Sequence, residues 1–312
     1  MKIIRLKDGT QVSSAPSCAA AFGNFDGVHA GHRALLGEVV RISSESGGLL
    51  APAVWTLRGF KFGDGKKLTS FSEKCSLFRD AGIEYLFTDN YESVRNLSPY
   101  EFISNHVIGK MNCFHSVCGY NFSFGSGASG SSDTMRNLML ASGRDSTVVP
   151  PYAVGGSVVS STAIRELLAC GRVAEAAAML DRPYSLSGIV IHGKALGRTL
   201  GFPTANILPE KEFAVPERGV YLTRTLFSSE AHTGEDVYFS VTNVGVNPTV
   251  DGESRIKCES YILDYTGDLY GKNIKVLFYE KLRDEKKFSS VQELTDAVKK
   301  NIEDCLEWSR QF

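Results

Sequence analysis

The sequence predicts two folds in series: an α/β module built on a parallel sheet, then an antiparallel β-barrel followed by one C-terminal helix. Three observations carry this reading. The chain has 312 residues, a length that suits two domains of roughly 100–200 residues each. Before Pro183, short apolar runs alternate with amphipathic stretches, the pattern of strands that cross over through helices into one parallel sheet. After Pro183, short strands recur between Gly, Pro and Asp with no helix among them, as in an antiparallel barrel. The domains are therefore expected at residues 1–182 and 183–312.

Taken in order, Cys18–Phe22 is an apolar run that ends at Gly23, and Gly31–Ile42 carries Leu35, Leu36, Val39 and Val40 at helical spacing. Leu49–Leu57, Tyr85–Thr88 and His115–Gly119 are strand-like, while Phe71–Ala81 and Pro99–Ile108 are helical. The Gly- and Ser-rich Ser123–Asp133 predicts a flexible loop, either a linker or a cover over a ligand. Ser161–Cys170 and Val173–Leu180 predict two helices parted by Gly171, the second stopped at Pro183. Barrel strands are expected at Leu186–Ile191, Val220–Leu226, Val237–Val244, Cys258–Leu263 and Ile274–Tyr279, and a last helix at Val291–Trp308. A parallel sheet of this kind places ligands beyond the carboxyl ends of its strands.

Lys and Arg number 34 against 35 Asp and Glu, a net charge of −1. That balance argues against a general nucleic-acid binder, which normally carries a basic excess, and leaves room for local basic sites for small phosphate esters. No apolar run reaches the ~18 residues of a membrane span, and Met1–Ser17 has no stretch suited to a secretory leader. The seven cysteines are scattered without C-x-x-C spacing, so neither a disulfide framework nor a zinc site is expected. A cytoplasmic protein, monomeric or weakly self-associating, with small-molecule substrates follows as the expectation.

The first candidate site is Gly23-Asn24-Phe25-Asp26-Gly27-Val28-His29-Ala30-Gly31-His32, placed after a strand and opening a helix. Glycines let the backbone approach an anion, and the helix N-terminus offers unpaired N–H groups and a favourable dipole. Two histidines parted by Ala-Gly can face one phosphate and stabilise charge that develops on it. The plainer alternative is a glycine turn with two surface histidines.

This stretch resembles the H-x-G-H nucleotidyltransferases, and more closely the adenylyltransferase half of prokaryotic FAD synthetases, which implies a Rossmann-like nucleotidyltransferase fold. The resemblance implies that His29 and His32 bind ATP phosphates during adenylyl transfer, with Gly23, Asn24, Phe25, Asp26, Gly27 and Gly31 around the same nucleotide. Gly119-Tyr120-Asn121-Phe122-Ser123-Phe124 is similar to the family's flavin-side motif, implying flavin contacts for Asn121, Phe122 and Phe124; a core aromatic pair is the alternative. Ser160–Arg165 is similar to its second phosphate motif, where Ser161, Thr162 and Arg165 would grip the leaving pyrophosphate; a helix cap is the alternative. The family's Pro-His-Pro turn is replaced here by Thr56-Leu57-Arg58-Gly59-Phe60-Lys61, where Arg58 or Lys61 could supply a compensating charge.

The second candidate site starts in the glycine-rich stretch Gly188–Asn206, which lacks a Walker A pattern. Its glycine arc can hold phosphate oxygens on backbone N–H groups. In an extended segment Thr204 and Asn206 point to one side, as two hard oxygen ligands for Mg²⁺ need, although Thr-Ala-Asn can also be only a turn. The stretch resembles the flavokinase barrel, and the resemblance continues through Gly219-Val220-Tyr221, Val241–Thr249, Cys258–Asp264, Asp268–Gly271 and Leu282–Phe288. It implies ATP contacts for Gly193, Lys194, Gly197, Arg198, Gly201, Phe202 and Pro203, and Mg²⁺ ligation by Thr204 and Asn206. Tyr221 and Arg283 would lie at the flavin, and Glu259 would be the general base for the riboflavin 5′-hydroxyl. The plainer reading of Glu259 is a solvent-facing carboxylate paired with Lys257 or Arg255.

Together the two resemblances imply a bifunctional enzyme of flavin-cofactor synthesis. Riboflavin would be phosphorylated by MgATP to FMN, and FMN adenylylated by a second ATP to FAD. Two other readings are a riboflavin kinase with a degenerate first module, and a non-catalytic flavin-binding regulator.

Overall fold

Strand β2 (Cys18–Phe22) is buried along its whole length, and small apolar side chains in every position are what a strand covered on both faces requires. It lies inside a six-stranded parallel sheet with β1 (Lys2–Arg5), β3 (Ala51–Arg58), β4 (Tyr85–Asn90), β5 (Cys113–Gly119) and β6 (Asp145–Val149), in the order β1-β4-β3-β2-β5-β6. The computed structural model describes residues 1–6, 16–58, 65–193, 196–228, 235–248 and 254–311; for Leu196, Arg198, Asn247, Pro248, Ser254 and Arg255 it describes the backbone alone. The chain forms two compact units, Met1–Ser161 and Thr162–Phe312.

In the first unit, Ala19 and Ala21 face one core with Leu35, Leu36, Val39 and Phe78, which come from α1 (Ala30–Glu45) and α2 (Phe71–Asp80). Ala20 and Phe22 face the other, with Trp55, Phe102 and Ile103 from a wide-turned π-helix (Phe102–Lys110), and Met135 and Met139 from α3 (Ser132–Ala141). Alternate residues of β2 thus serve opposite layers. The sheet grows from β2 through β3 to β4 on one side and through β5 to β6 on the other. This reversal makes the carboxyl ends of β2 and β5, at Gly23 and Gly119, the topological switch point of the sheet, the place where parallel sheets of this kind receive ligands.

The expected strands and helices of this half are present, with β1, α3 and β6 in addition. The segment expected as a flexible loop is folded: Ser123–Phe124 pairs with Gly130–Ser131, and Ser131 accepts the Thr134 N–H at 3.2 Å to cap α3. The serines that make the stretch look unstructured are partly spent on capping.

Helix α4 (Ser161–Ala169) starts on the last residue of the first unit and carries the chain into the second, α5 (Val173–Leu180) follows, and Glu217 N–H donates to Leu168 O at 2.9 Å, tying α4 to the barrel. The barrel is β7 (Tyr184–Ile191), β8 (Thr204–Ile207), β9 (Gly219–Ser228), β10 (Glu235–Pro248), β11 (Ser254–Ile262) and β12 (Asn273–Arg283). It closes in the order β7-β8-β11-β10-β9-β12, every neighbour antiparallel. Buried hydroxyls of Thr223, Thr225, Ser240, Thr242 and Ser260 satisfy one another across β9, β10 and β11 at 2.7–2.8 Å. Helix α6 (Val291–Ser309), capped by Ser290, buries Cys305 against Val220, Leu222 and Val241, and sets Trp308 on Phe239 and Tyr279. No helix among the described residues is long and apolar enough to cross a membrane.

Candidate functional site

Between β2 and α1 the chain takes an uncommon path: φ is 52° at Phe25, 86° at Gly27 and 40° at Val28. Only glycine adopts such angles freely, so Phe25 and Val28 cost of order 1–3 kcal/mol each and must be held there by their surroundings. The restraints are visible. The Asp26 carboxylate accepts from Leu68 N–H at 3.0 and 3.2 Å and from Thr69 N–H at 3.4 Å, and Gly27 N–H donates to Thr69 Oγ1 at 3.0 Å. Ser161 Oγ donates to Asp26 O at 2.7 Å, while Asn24 O accepts from Thr56 Oγ1 at 3.1 Å and Lys74 Nζ at 2.8 Å.

The loop delivers His29 to the N-cap of α1, where its Nδ1 accepts the His32 N–H at 3.2 Å. An accepting Nδ1 leaves the ring proton of a neutral imidazole on Nε2, a donor for an approaching anion. The two rings stack with centroids 3.6 Å apart, and Gly31 lies against the His29 ring. Burial first, then the neighbouring His29 and Lys74 charges, hold His32 well below the usual imidazole range, and its Nδ1 is sealed from water with no hydrogen-bond partner among the described residues. The site therefore offers polar donors at a helix N-terminus, where the dipole favours an anion.

Lys74 is a feature that the motif reading missed. Phe71, Lys74, Cys75 and Phe78 stand at i, i+3, i+4 and i+7, so a lysine on the apolar stripe of α2 was the available signal. Arg58 lies with its guanidinium 4.8 Å from the Phe71 ring centre, and Lys61 lies outside the described residues. Asn121 is exposed beyond β5 and Phe122 is half-buried, whereas Phe124 packs into the core against Phe102 at 5.3 Å. Thr162 and Arg165 stand in the first turns of α4, at the opening of the second unit.

In the barrel, the register sets Glu259 on β11 between Asn206 on β8 and Asn243 on β10. All three line a cavity of about 400 Å³ that Phe288 and the apolar side chains Leu294, Val298 and Ile302 complete. Lys257, two residues before Glu259 and so on the same face, pairs with its carboxylate at 2.6 Å. The lysine side chain is 9% exposed and the glutamate 38%, so Glu259 is open to the cavity and is not a free surface carboxylate. Arg283 lines the same cavity and donates through Nε to Asn301 Oδ1 at 3.2 Å.

A second cavity of about 440 Å³ is lined by Gly193, Pro203, Asp268 and Tyr270 among others, and Thr204 and Asn206 line both. The pair thus stands where the two spaces meet. Asn206 is 5% exposed; its Nδ2 donates to Thr204 O at 3.0 Å, and its buried Oδ1 has no hydrogen-bond partner among the described residues. A buried oxygen with unspent lone pairs beside a hydroxyl residue fits a hard divalent cation. A Cβ at position 193 would meet the Asn206 amide at 2.8–3.0 Å, which accounts for glycine there.

The other expected positions divide. Gly197 and Phe202 line the first cavity, and Gly201 turns the chain at φ 87°. Lys194 lies outside the described residues, as does the Arg198 side chain. Tyr221, expected at the flavin, is fully buried; its hydroxyl donates to Glu217 O, its ring meets Phe278 edge-on, and Val220 lines the cavity in its stead.

Comparison with known proteins covers both units. The FAD synthetase family matches residues 11–163 and the riboflavin kinase family residues 180–309. The bifunctional riboflavin kinase/FMN adenylyltransferase of Bacillus subtilis (strain 168) is 33% identical over 298 residues, 92% of this chain and 91% of that protein. The protein of the same name from Escherichia coli (strain K12) is 33% identical over 299 residues, 94% of this chain and 93% of its own. A crystal structure described as a macrolide-efflux protein from Streptococcus pneumoniae shares the fold with a TM-score of 0.86 at 27% identity, over 98% of this chain and 99% of that one. On this identity across nearly the whole length, the chain belongs to the bifunctional riboflavin kinase/FMN adenylyltransferase family.

Proposed function

We infer that the chain makes FAD from riboflavin in two ATP-dependent steps. Residues 183–312 phosphorylate riboflavin to FMN, and residues 1–182 adenylylate FMN to FAD with release of pyrophosphate. The observation that carries the kinase assignment is the meeting of two cavities at Thr204 and Asn206, with Glu259 open to one of them. The family match across both units disfavours a silent first module or a non-catalytic regulator. Both steps consume ATP, which suits the cytoplasm.

In the kinase, Glu259 takes the proton of the ribityl 5′-hydroxyl as its oxygen bonds to the γ-phosphorus and the bond to the β–γ bridging oxygen breaks. A positioned carboxylate base contributes about 10²–10⁴-fold. Thr204 and Asn206 would hold Mg²⁺, which when bound neutralises charge on the transferring phosphate. Gly193, Gly197 and the turn to Pro203 would present backbone to the nucleotide, and Arg283 would orient the flavin. An Asn206→Ala variant is expected to raise the Mg²⁺ concentration for half-maximal FMN formation at least about tenfold; a magnesium titration checks this.

In the adenylyl transfer, a phosphate oxygen of FMN bonds to the α-phosphorus of ATP while the α–β bridging bond breaks. His29 Nε2–H and His32 would stabilise the charge that builds on the phosphates, acting as preorganised donors without a covalent intermediate. Ser161, Thr162 and Arg165 would hold the departing pyrophosphate, and Asn121 and Phe122 the flavin. Chromatographic product analysis tests the whole reading: purified protein with Mg²⁺, ATP and riboflavin is expected to give FMN and then FAD, and with FMN to give FAD. FMN without FAD would reduce the function to the kinase; no turnover by folded, flavin-binding protein would remove both.

A further inference from the structure

Lys74 is a buried cation with no ion-pair partner among the described residues. It is 9% exposed, and its Nζ donates to Asn24 O at 2.8 Å. Lys257 in the barrel is equally buried but has the Glu259 carboxylate at 2.6 Å. The carboxylate nearest in charge to Lys74, Asp26, is already occupied by the Leu68 and Thr69 amides. Burying an unpaired ammonium is costly, and an anion arriving beside it offsets that cost. The anion expected at this loop is a nucleotide phosphate, because the carbonyl that Lys74 holds belongs to the loop leading to the His29–His32 pair.

Resting on the adenylyl-transfer reading of the first unit, we propose that Lys74 is a phosphate-binding residue of that site, its ammonium opposing the charge that builds on the ATP phosphates beside His29 and His32. The groups around it set its titration. Burial pulls the Lys74 ammonium down to about 8, the Asp26 charge acts against this, and Lys67 adds to the lowering. The Cys75 thiol is itself pushed above its usual range by burial, and His32 is held below its own, so both are neutral where Lys74 titrates. A neutral lysine amine can still donate a hydrogen bond to Asn24 O. A purely structural Lys74 would therefore be indifferent to loss of its proton, whereas a phosphate-binding one would not.

The test is the rate of FAD formation from FMN and ATP, from neutral to strongly alkaline pH, with FMN formation by the barrel in the same samples correcting for general alkaline loss. The expected kcat/KM falls through a limb near pH 8 in the wild type. In kcat the limb lies higher, because bound phosphate favours the charged amine. Lys74→Met should lower the neutral-pH rate about 10²-fold and abolish the limb. Lys74→Arg should recover most of that loss and also lack the limb, since guanidinium does not deprotonate in this range. FAD formation with a flat wild-type profile, or a limb that persists in Lys74→Arg, overturns the proposal alone. A wild type that forms no FAD at any pH overturns the adenylyl-transfer reading and the proposal with it.

Discussion

Glu259→Gln is expected to lower riboflavin phosphorylation by about 10²–10⁴-fold while flavin binding and FMN adenylylation persist. The amide keeps the shape of the carboxylate but cannot accept the ribityl proton. Its setting makes the loss specific: Glu259 stands between Asn206 and Asn243 on the cavity wall, and its ion pair with Lys257 fixes one oxygen while the other is left for substrate. Removing the negative charge also leaves Lys257 buried without its partner, so the variant should melt at a lower temperature than the wild type. Kinase rates with riboflavin, adenylylation rates with FMN and flavin fluorescence titration on one preparation separate these effects. Undiminished phosphorylation would remove Glu259 from the role of base.

The second large effect is expected in the other unit. His29→Asn should lower adenylyl transfer about 10²–10³-fold and make FMN accumulate from riboflavin. Asparagine is a good N-cap, so it can still accept the His32 N–H and start α1, while the Nε2–H donor is lost. The effect on folding should be small, and a thermal melt within a few degrees of the wild type checks that. A variant that forms FAD at the wild-type rate would show that the imidazole serves only as a helix cap.

Much of this was legible in the sequence because the signals are local. An apolar run into Gly23, two histidines three apart at a helix start, and Thr-Ala-Asn in an extended segment each constrain geometry within a few residues. The strand period alone sets Lys257 and Glu259 on one face. What the sequence did not yield depends on contacts between distant segments. That Glu259 lies beside Asn206, 53 positions earlier in the chain, is a fact of barrel register. That Asp26 fastens a loop through the Leu68 and Thr69 amides depends on how the sheet brings those segments together. Tyr221 sits one residue away from the cavity-lining Val220, and with a two-residue period one step turns a side chain to the opposite face. Phe124 was ambiguous for a different reason: an aromatic residue near a flavin motif looks the same whether it meets flavin or core.

One chain performs two chemically distinct transfers from ATP, phosphoryl in the barrel and adenylyl in the α/β unit. The most direct measurement follows labelled phosphorus from ATP into flavin products. ATP labelled at the γ-phosphate, given with riboflavin, is expected to label FMN and the FAD made from it. ATP labelled at the α-phosphate should label FAD and never FMN, and with unlabelled FMN as substrate the γ-label should appear in pyrophosphate and not in FAD. Absence of α-label from FAD, or its appearance in FMN, would show that the chain does not carry out these two transfers.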